Sequence, residues 1–292
     1  LVIAPLAVSA LFTVSAGESL LAVTSFVIGY ALYLTVWVLL ILLASSVFSK
    51  NSGSFTALAF VWILLCIVMP RVASTTASTA VPSAGKIETD FAVKAELRKL
   101  GDGHNTNDPA FKQFKQSLLK KYNVNSIDEL PVNFRGLVAS ESEAKQANVL
   151  NQFAELRMQS ELKQTQVSRY FGWVSPMVAI RTLSMIVVGT SIETHHRFLR
   201  ETEQLRFDFV QGLNKIHIEE LDYKDDMNRN ADAAATKKAR VSAQNWQILQ
   251  DFNFNVDSAD VRAQRSVPAF LQLLLWIVVL VGGIKLVGKR LL

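Results

Sequence analysis

Glu193, His195 and His196 form the densest group of metal-type ligands in the chain. A zinc site drawn from one helix takes side chains at i and i+4, which share a face, whereas adjacent residues point about 100 degrees apart. The group therefore reads as a surface or interface element, and no metal site is expected. His104 and His217 stand alone and complete no triad. Arg181 is the one charge in the apolar run YFGWVSPMVAIRTLSMIVVGTS at 170–191, which Pro176 also interrupts. A guanidinium there sits at headgroup level, faces a polar cavity, or snorkels beside a membrane. Arg181, Ser175, Pro176 and His195 are the candidate functional residues, and none presents a nucleophile with a base beside it. The chain is expected to be no enzyme by itself, with no catalytic or cofactor-binding residue.

The phosphate-cradling pattern GxxxxGK[ST] occurs nowhere, nor do HExxH, GxSxG or GxGxxG. If ATP is used, another chain binds it. The single cysteine, Cys66, lies in an apolar run and excludes both an intrachain disulfide and a CxxC site.

The elements that must position these residues follow from an uneven composition. Of 292 residues, 50% are hydrophobic and 19% charged, against about 25% charged in ordinary soluble domains. Mean hydropathy is +0.24. Residues 1–49 contain one charge, Glu18, whereas 71–267 hold 24 of the 25 acids and 26 of the 30 bases. The run 20–49 is uncharged over 30 residues, about 45 Å of helix against a hydrocarbon core of about 30 Å. After the short break at 50–54, the run 55–70 completes a hairpin. The last span covers about 270–288, with Pro268 placed where a helix start tolerates it. Such runs are too long for ordinary core helices of a soluble protein. Gly29, Gly282 and Gly283 either permit close helix packing or are merely tolerated.

The expected fold is therefore an all-α membrane protein. Transmembrane helices are expected at about 1–16, 20–49 and 55–70, and a mostly helical extracytoplasmic domain at 71–267 with an interfacial helix near 173–190. Residues 268–292 supply the last transmembrane helix and a cytoplasmic tail. Within the polar part, 72–85 is rich in Ser, Thr and Ala and reads as a linker. Asp108 before Pro109 gives an N-cap for a helix carrying Phe111, Phe114, Leu118 and Tyr122 on one face. A long helix is expected over 133–170 and another over 191–221, packed on it, while 222–238 looks mobile. The segment 251–257, DFNFNVD, alternates like a strand.

Net charge is +5, but 71–267 balances 26 bases against 24 acids, a net of +2, which argues against nucleic acid. The excess lies beside the spans, at Lys50, Lys285, Lys289 and Arg290. All four fall on one side if 71–267 lies on the other, so the positive-inside rule makes that side cytoplasmic. Arg71 is a mild dissent. No basic region precedes the apolar start, so a cleavable signal is not expected, and the chain reads as a piece beginning partway through a longer protein.

The hairpin YALYLTVWVLLILLASSVFSKNSGSFTALAFVWILLCIVMP resembles the paired later spans of permease subunits of type-2 ABC exporters. The run through Ser175, Pro176, Gly189, Thr190, His195, Phe198 and Leu199 resembles the extracytoplasmic insertion of one branch of them, although Ser191 replaces an acidic residue expected after Gly-Thr. The resemblance implies a substrate-moving subunit of the inner (plasma) membrane that dimerises with a second permease copy, identical or not. It also implies a separate ABC ATPase subunit that holds ATP and Mg, and a coupling element in the part before residue 1. Membrane lipid is the remaining expected partner. The rival reading is a membrane-anchored sensor or interaction protein with a helical extracytoplasmic binding domain.

Overall fold

A computed structural model describes residues 17–103 and 105–291, with the side chains of the last two left aside. The apolar stretch 1–16, expected as a first span, and His104 lie outside the described residues. In chain order the helices are α1 (Leu20–Val47), α2 (Asn51–Ile63), a π-helical turn (Leu64–Val68), α3 (Met69–Ala80), α4 (Lys86–Lys99), α5 (Lys112–Tyr122), α6 (Phe134–Tyr170), α7 (Pro176–Val187), α8 (Ile192–Glu220), α9 (Tyr223–Met227), α10 (Ala233–Lys238) and α11 (Ala259–Leu291). Among the described residues there is no β-strand. Four stretches are long and apolar enough to cross a membrane: Leu20–Val47, Asn51–Ala80, Pro176–Glu220 and Ala259–Lys289. The protein is an all-α membrane protein.

The chain divides into two compact units, and two of the four divisions, at 158/159 and 197/198, fall inside α6 and α8. The first comprises 1–83, 159–197 and 255–292 and holds the apolar helices. Its core forms where Ala179, Ile180, Leu183 and Val187 of α7 meet Ala22 of α1 and Ala269 and Leu273 of α11. Small residues let these backbones approach: a Cβ on Gly29 would stand 2.6 Å from Leu183 Cδ2. Packing by protein distinguishes α7 from the other apolar helices. The apolar window of Pro176–Glu220 is 56% buried within the fold, against 6% to 22% for the rest. At 12 residues, α7 is about 18 Å long, too short to cross about 30 Å of hydrocarbon alone. It ends at Gly189, whose φ of +74° supplies the left-handed residue that lets Thr190 N–H reach back to Met185 O at 2.8 Å.

The second unit comprises 84–158 and 198–254. Asp108 caps as expected, its Oδ1 accepting from Ala110 N–H at 2.9 Å, although the first turn, Pro109–Phe111, is 3-10 before α5 begins. Phe111 and Leu118 then pack on Phe134 and Val138 of α6. The α6 and α8 portions of this unit run antiparallel, joined by Ser140 to Gln211 at 2.7 Å and Arg206 to Glu143 at 2.8 Å.

Four expectations are corrected. The linker over 72–85 is helical to Ala80, because α3 continues turns already formed; its hydroxyls turn back onto their own helix (Ser78 and Thr79 to Thr75 O, both 2.9 Å). The boundary placed at 70/71 thus lies inside a helix. Residues 251–257 form no strand; no second extended segment pairs with them, and Phe252 and Phe254 instead pack on the Phe198 ring. Pro268 lies inside α11, which starts at Ala259, at the cost of one backbone hydrogen bond that membrane helices tolerate. The segment 222–238, read as mobile, contains α9 and α10 and the fully buried Asp226.

Candidate functional site: a cavity lined by Arg181

In the first unit, α3 and the π-turn, the C-terminal part of α6, and α7 line an open cavity of about 500 Å³, on which the exposed Arg181 lies. The first wall is made of small residues at helical spacing, Pro70, Ala73, Ser74, Ala77 and Ser78, which leave room that larger side chains would fill. Arg181, Met177 and Met185 line it from α7, and Glu161 and Arg169 from α6.

Ser175 and Pro176 set the position of the helix that carries Arg181. Ser175 is fully buried and caps α7, its Oγ accepting from Val178 N–H at 3.3 Å, and Pro176 occupies the first turn, where a missing N–H costs nothing. The same hydroxyl donates to Leu65 O at 2.7 Å. The reason lies in the opposing helix. In the π-turn, Met69 N–H donates to Leu64 O, five residues back, so the next donor in that register, for Leu65 O, would be the N–H that Pro70 lacks. Ser175 supplies the missing donor, and the proline of one helix is thereby matched to the cap of another.

The charges on the cavity wall are unequally committed. Arg169 grips Glu193 through two bonds, at 2.6 and 3.0 Å. Glu161 Oε2 lies 2.7 Å from His196 Nε2, and the His196 ring is buried. Arg181 has no carboxylate partner among the described residues. Arg262, also buried, donates to Val187 O at 2.7 Å and to Glu18 Oε2 at 3.1 Å, placing a cation at the C-terminus of α7 where the helix dipole favours one.

Of the four residues singled out from sequence, Ser175, Pro176 and Arg181 therefore converge on one helix beside one cavity. His195 does not: it is exposed, and its neighbour His196 is the buried member of the pair. Helical phase carried that signal, since Ile192, His196 and Leu199 recur at spacings of four and three along the inward face of α8. Glu161, Thr165 and Arg169 likewise share a face of α6 at spacing four. No group of three His, Cys, Asp or Glu side chains suited to a metal ion occurs among the described residues.

A family model described as a domain of unknown function (DUF3526) matches residues 86–255, more than half of the chain. The chain belongs to the DUF3526 family. Neither the curated proteins nor the solved structures contain a match. The DUF3526 stretch includes Glu161, Arg169, Ser175, Pro176, Arg181 and His196, whereas α1, the α2 to α3 helix and all of α11 lie outside it. The cavity is thus walled partly by family-matched residues and partly by a helix that precedes them.

Proposed function

We propose that this DUF3526 protein is a membrane-spanning permease subunit of an ATP-driven exporter of the type-2 ABC kind, with ATP and Mg held by a separate ATPase subunit and a second permease copy completing the transport unit. The observation that carries the reading is a cavity lined by a cation with no carboxylate partner, built against the end of an apolar helix long enough to span a membrane. A mere anchor has no use for such a cavity. The resemblance of the hairpin and of the α7 region to those permeases supports the same reading. So does the interrupted Asn51–Ala80 helix, whose π-turn is a site where backbone register can change.

In this reading the chain lies in the inner (plasma) membrane with 71–267 outside and its C-terminus in the cytoplasm, because Lys50, Lys285, Lys289 and Arg290 then share the inner face. Its residues make no covalent bond to the substrate. Their work is to stabilise two packings of the apolar helices to different extents, with ATP hydrolysis elsewhere shifting the balance. The test is copurification of the full-length chain in mild detergent. A nucleotide-hydrolysing subunit is expected to accompany it; repeated absence of one, with a signalling partner in its place, would favour the membrane-anchored sensor instead.

A further inference from the structure

We infer that the Arg181 cavity binds an anionic amphiphile, with the acidic group on the Arg181 guanidinium and the apolar portion against Cys66, Met177 and Met185. The inference rests on the reading of this unit as membrane-embedded and names the ligand class for its site.

The Asn51–Ala80 helix is about 45 Å long and outruns a hydrocarbon core of about 30 Å. It is apolar as far as Met69, then carries Arg71 and the sequence ASTTASTA. The cavity is lined on this helix from Cys66 to Ser78, on both sides of that change. A membrane lipid makes the same change from acyl chain to charged headgroup at the same level. Tyr170 and Trp173, 70% and 43% exposed just before α7, have the character of an interfacial aromatic belt.

Arg169 is bound to Glu193 and Glu161 to His196, which leaves Arg181 as the cation available on the wall. A guanidinium at the edge of a bilayer is stabilised by an anion, and its planar fork suits a phosphate or carboxylate bidentately. About 500 Å³ falls within the ordinary range of ligand sites, and the remaining wall offers hydroxyls from Ser74 and Thr182 to an oxyanion while the two methionines adapt to a chain.

Cys66 lies on the cavity wall and is half-buried, so its alkylation reports occupancy directly. The full-length protein, stripped of lipid in a neutral detergent, is treated with N-ethylmaleimide and the Cys66 peptide is quantified by mass spectrometry. Dioctanoyl phosphatidylglycerol is expected to slow the reaction by about tenfold or more. Dioctanoyl phosphatidylcholine and inorganic phosphate at the same concentration are expected to slow it less than about twofold. Arg181→Gln should abolish the protection, read as the ratio of that variant's rates with and without the lipid. Should that variant alter the lipid-free rate, Ser74→Leu, which narrows the cavity with Arg181 intact, is expected to lose protection instead.

Absence of protection by phosphatidylglycerol overturns the inference, as does equal protection by phosphatidylcholine or full protection in Arg181→Gln. Protection by phosphate alone, equal to that by the lipid, assigns the site to a soluble anion and overturns the amphiphile. No ATPase takes part, so failure here is distinct from failure to copurify one.

Discussion

The two units hold their helices together by different means. In the apolar unit, close approach is permitted by small residues, Gly29 beneath Leu183 and Ala22, Ala179 and Ala269 in the core, and fixed by a few single bonds such as Ser175 to Leu65 O. In the polar unit the joins are networks of charge. Asp226, fully buried, accepts from Asn133, His217 and Arg229 and lies 3.8 Å from Arg135, tying α9 to the start of α6 and the end of α8. Each unit is vulnerable in a different place. Apolar surface is no driving force between helices already in lipid, so the first unit depends on steric fit and on satisfied backbone groups. The second depends on keeping one carboxylate charged and surrounded.

The largest effect is therefore expected at Asp226. Replacing it by Ala leaves three donors without their shared acceptor and should cost about 3 kcal/mol, the low end for breaking a buried charged network because His217, Arg135 and Arg229 reach water. Faster hydrogen exchange in peptides covering Phe134–Val138 and His217–Asp226 is the readout; unchanged protection would show that the network is incidental. The same group predicts an acid sensitivity. Burial opposes the charged form of Asp226, but hydrogen bonds from His217 and Arg229 outweigh it and hold the carboxyl below its ordinary value. Its contribution is thus complete above the unfolded value of about 4 and is lost as the pH falls through the lower folded one. Asp226→Asn should flatten that acid limb.

In the apolar unit, Ser175→Ala removes both a helix cap and the donor to Leu65 O, and about 2 kcal/mol is expected. A fall in the detergent-phase unfolding temperature checks it. Ser175→Thr, which keeps the hydroxyl, should recover most of the loss. A smaller effect is expected for Gly29→Ala. Its Cβ would press on Leu183, which is fully buried and has no room to withdraw, yet Ala is favoured over Gly in a helix by about 1 kcal/mol, so the net cost is about 1 kcal/mol. A gain in stability would mean that α1 and α7 separate easily.

Legibility followed the same division. Uncharged runs announced the spans of the apolar unit, because that signal is local, whereas Pro176, which reads as an interruption of its run, lies in the first turn of α7. The match between Pro70 and Ser175 was not legible, since it joins residues 105 apart through a backbone carbonyl that no side-chain pattern reveals. In the polar unit, the Asp108 cap and the Phe111, Phe114, Leu118 face were readable from spacing. Asp226 was not: it lies among Lys, Asp and Asn residues whose composition is that of a mobile loop, and its partners arrive from 9 and 93 residues away. His196 differs from the exposed His195 only in helical phase, and which of the two faces inward depends on what α8 packs against, which two adjacent histidines do not reveal.

The orientation on which the transport reading depends can be measured on one residue. In a Cys66→Ser background, Gln152→Cys places a thiol at an exposed position of α6 in the polar unit. Intact cells or right-side-out vesicles are treated with a membrane-impermeant maleimide, and the label at position 152 is read by peptide mass. Labelling without permeabilisation is the predicted result; labelling that appears only after the membrane is opened would place the DUF3526 stretch in the cytoplasm and contradict the exporter reading.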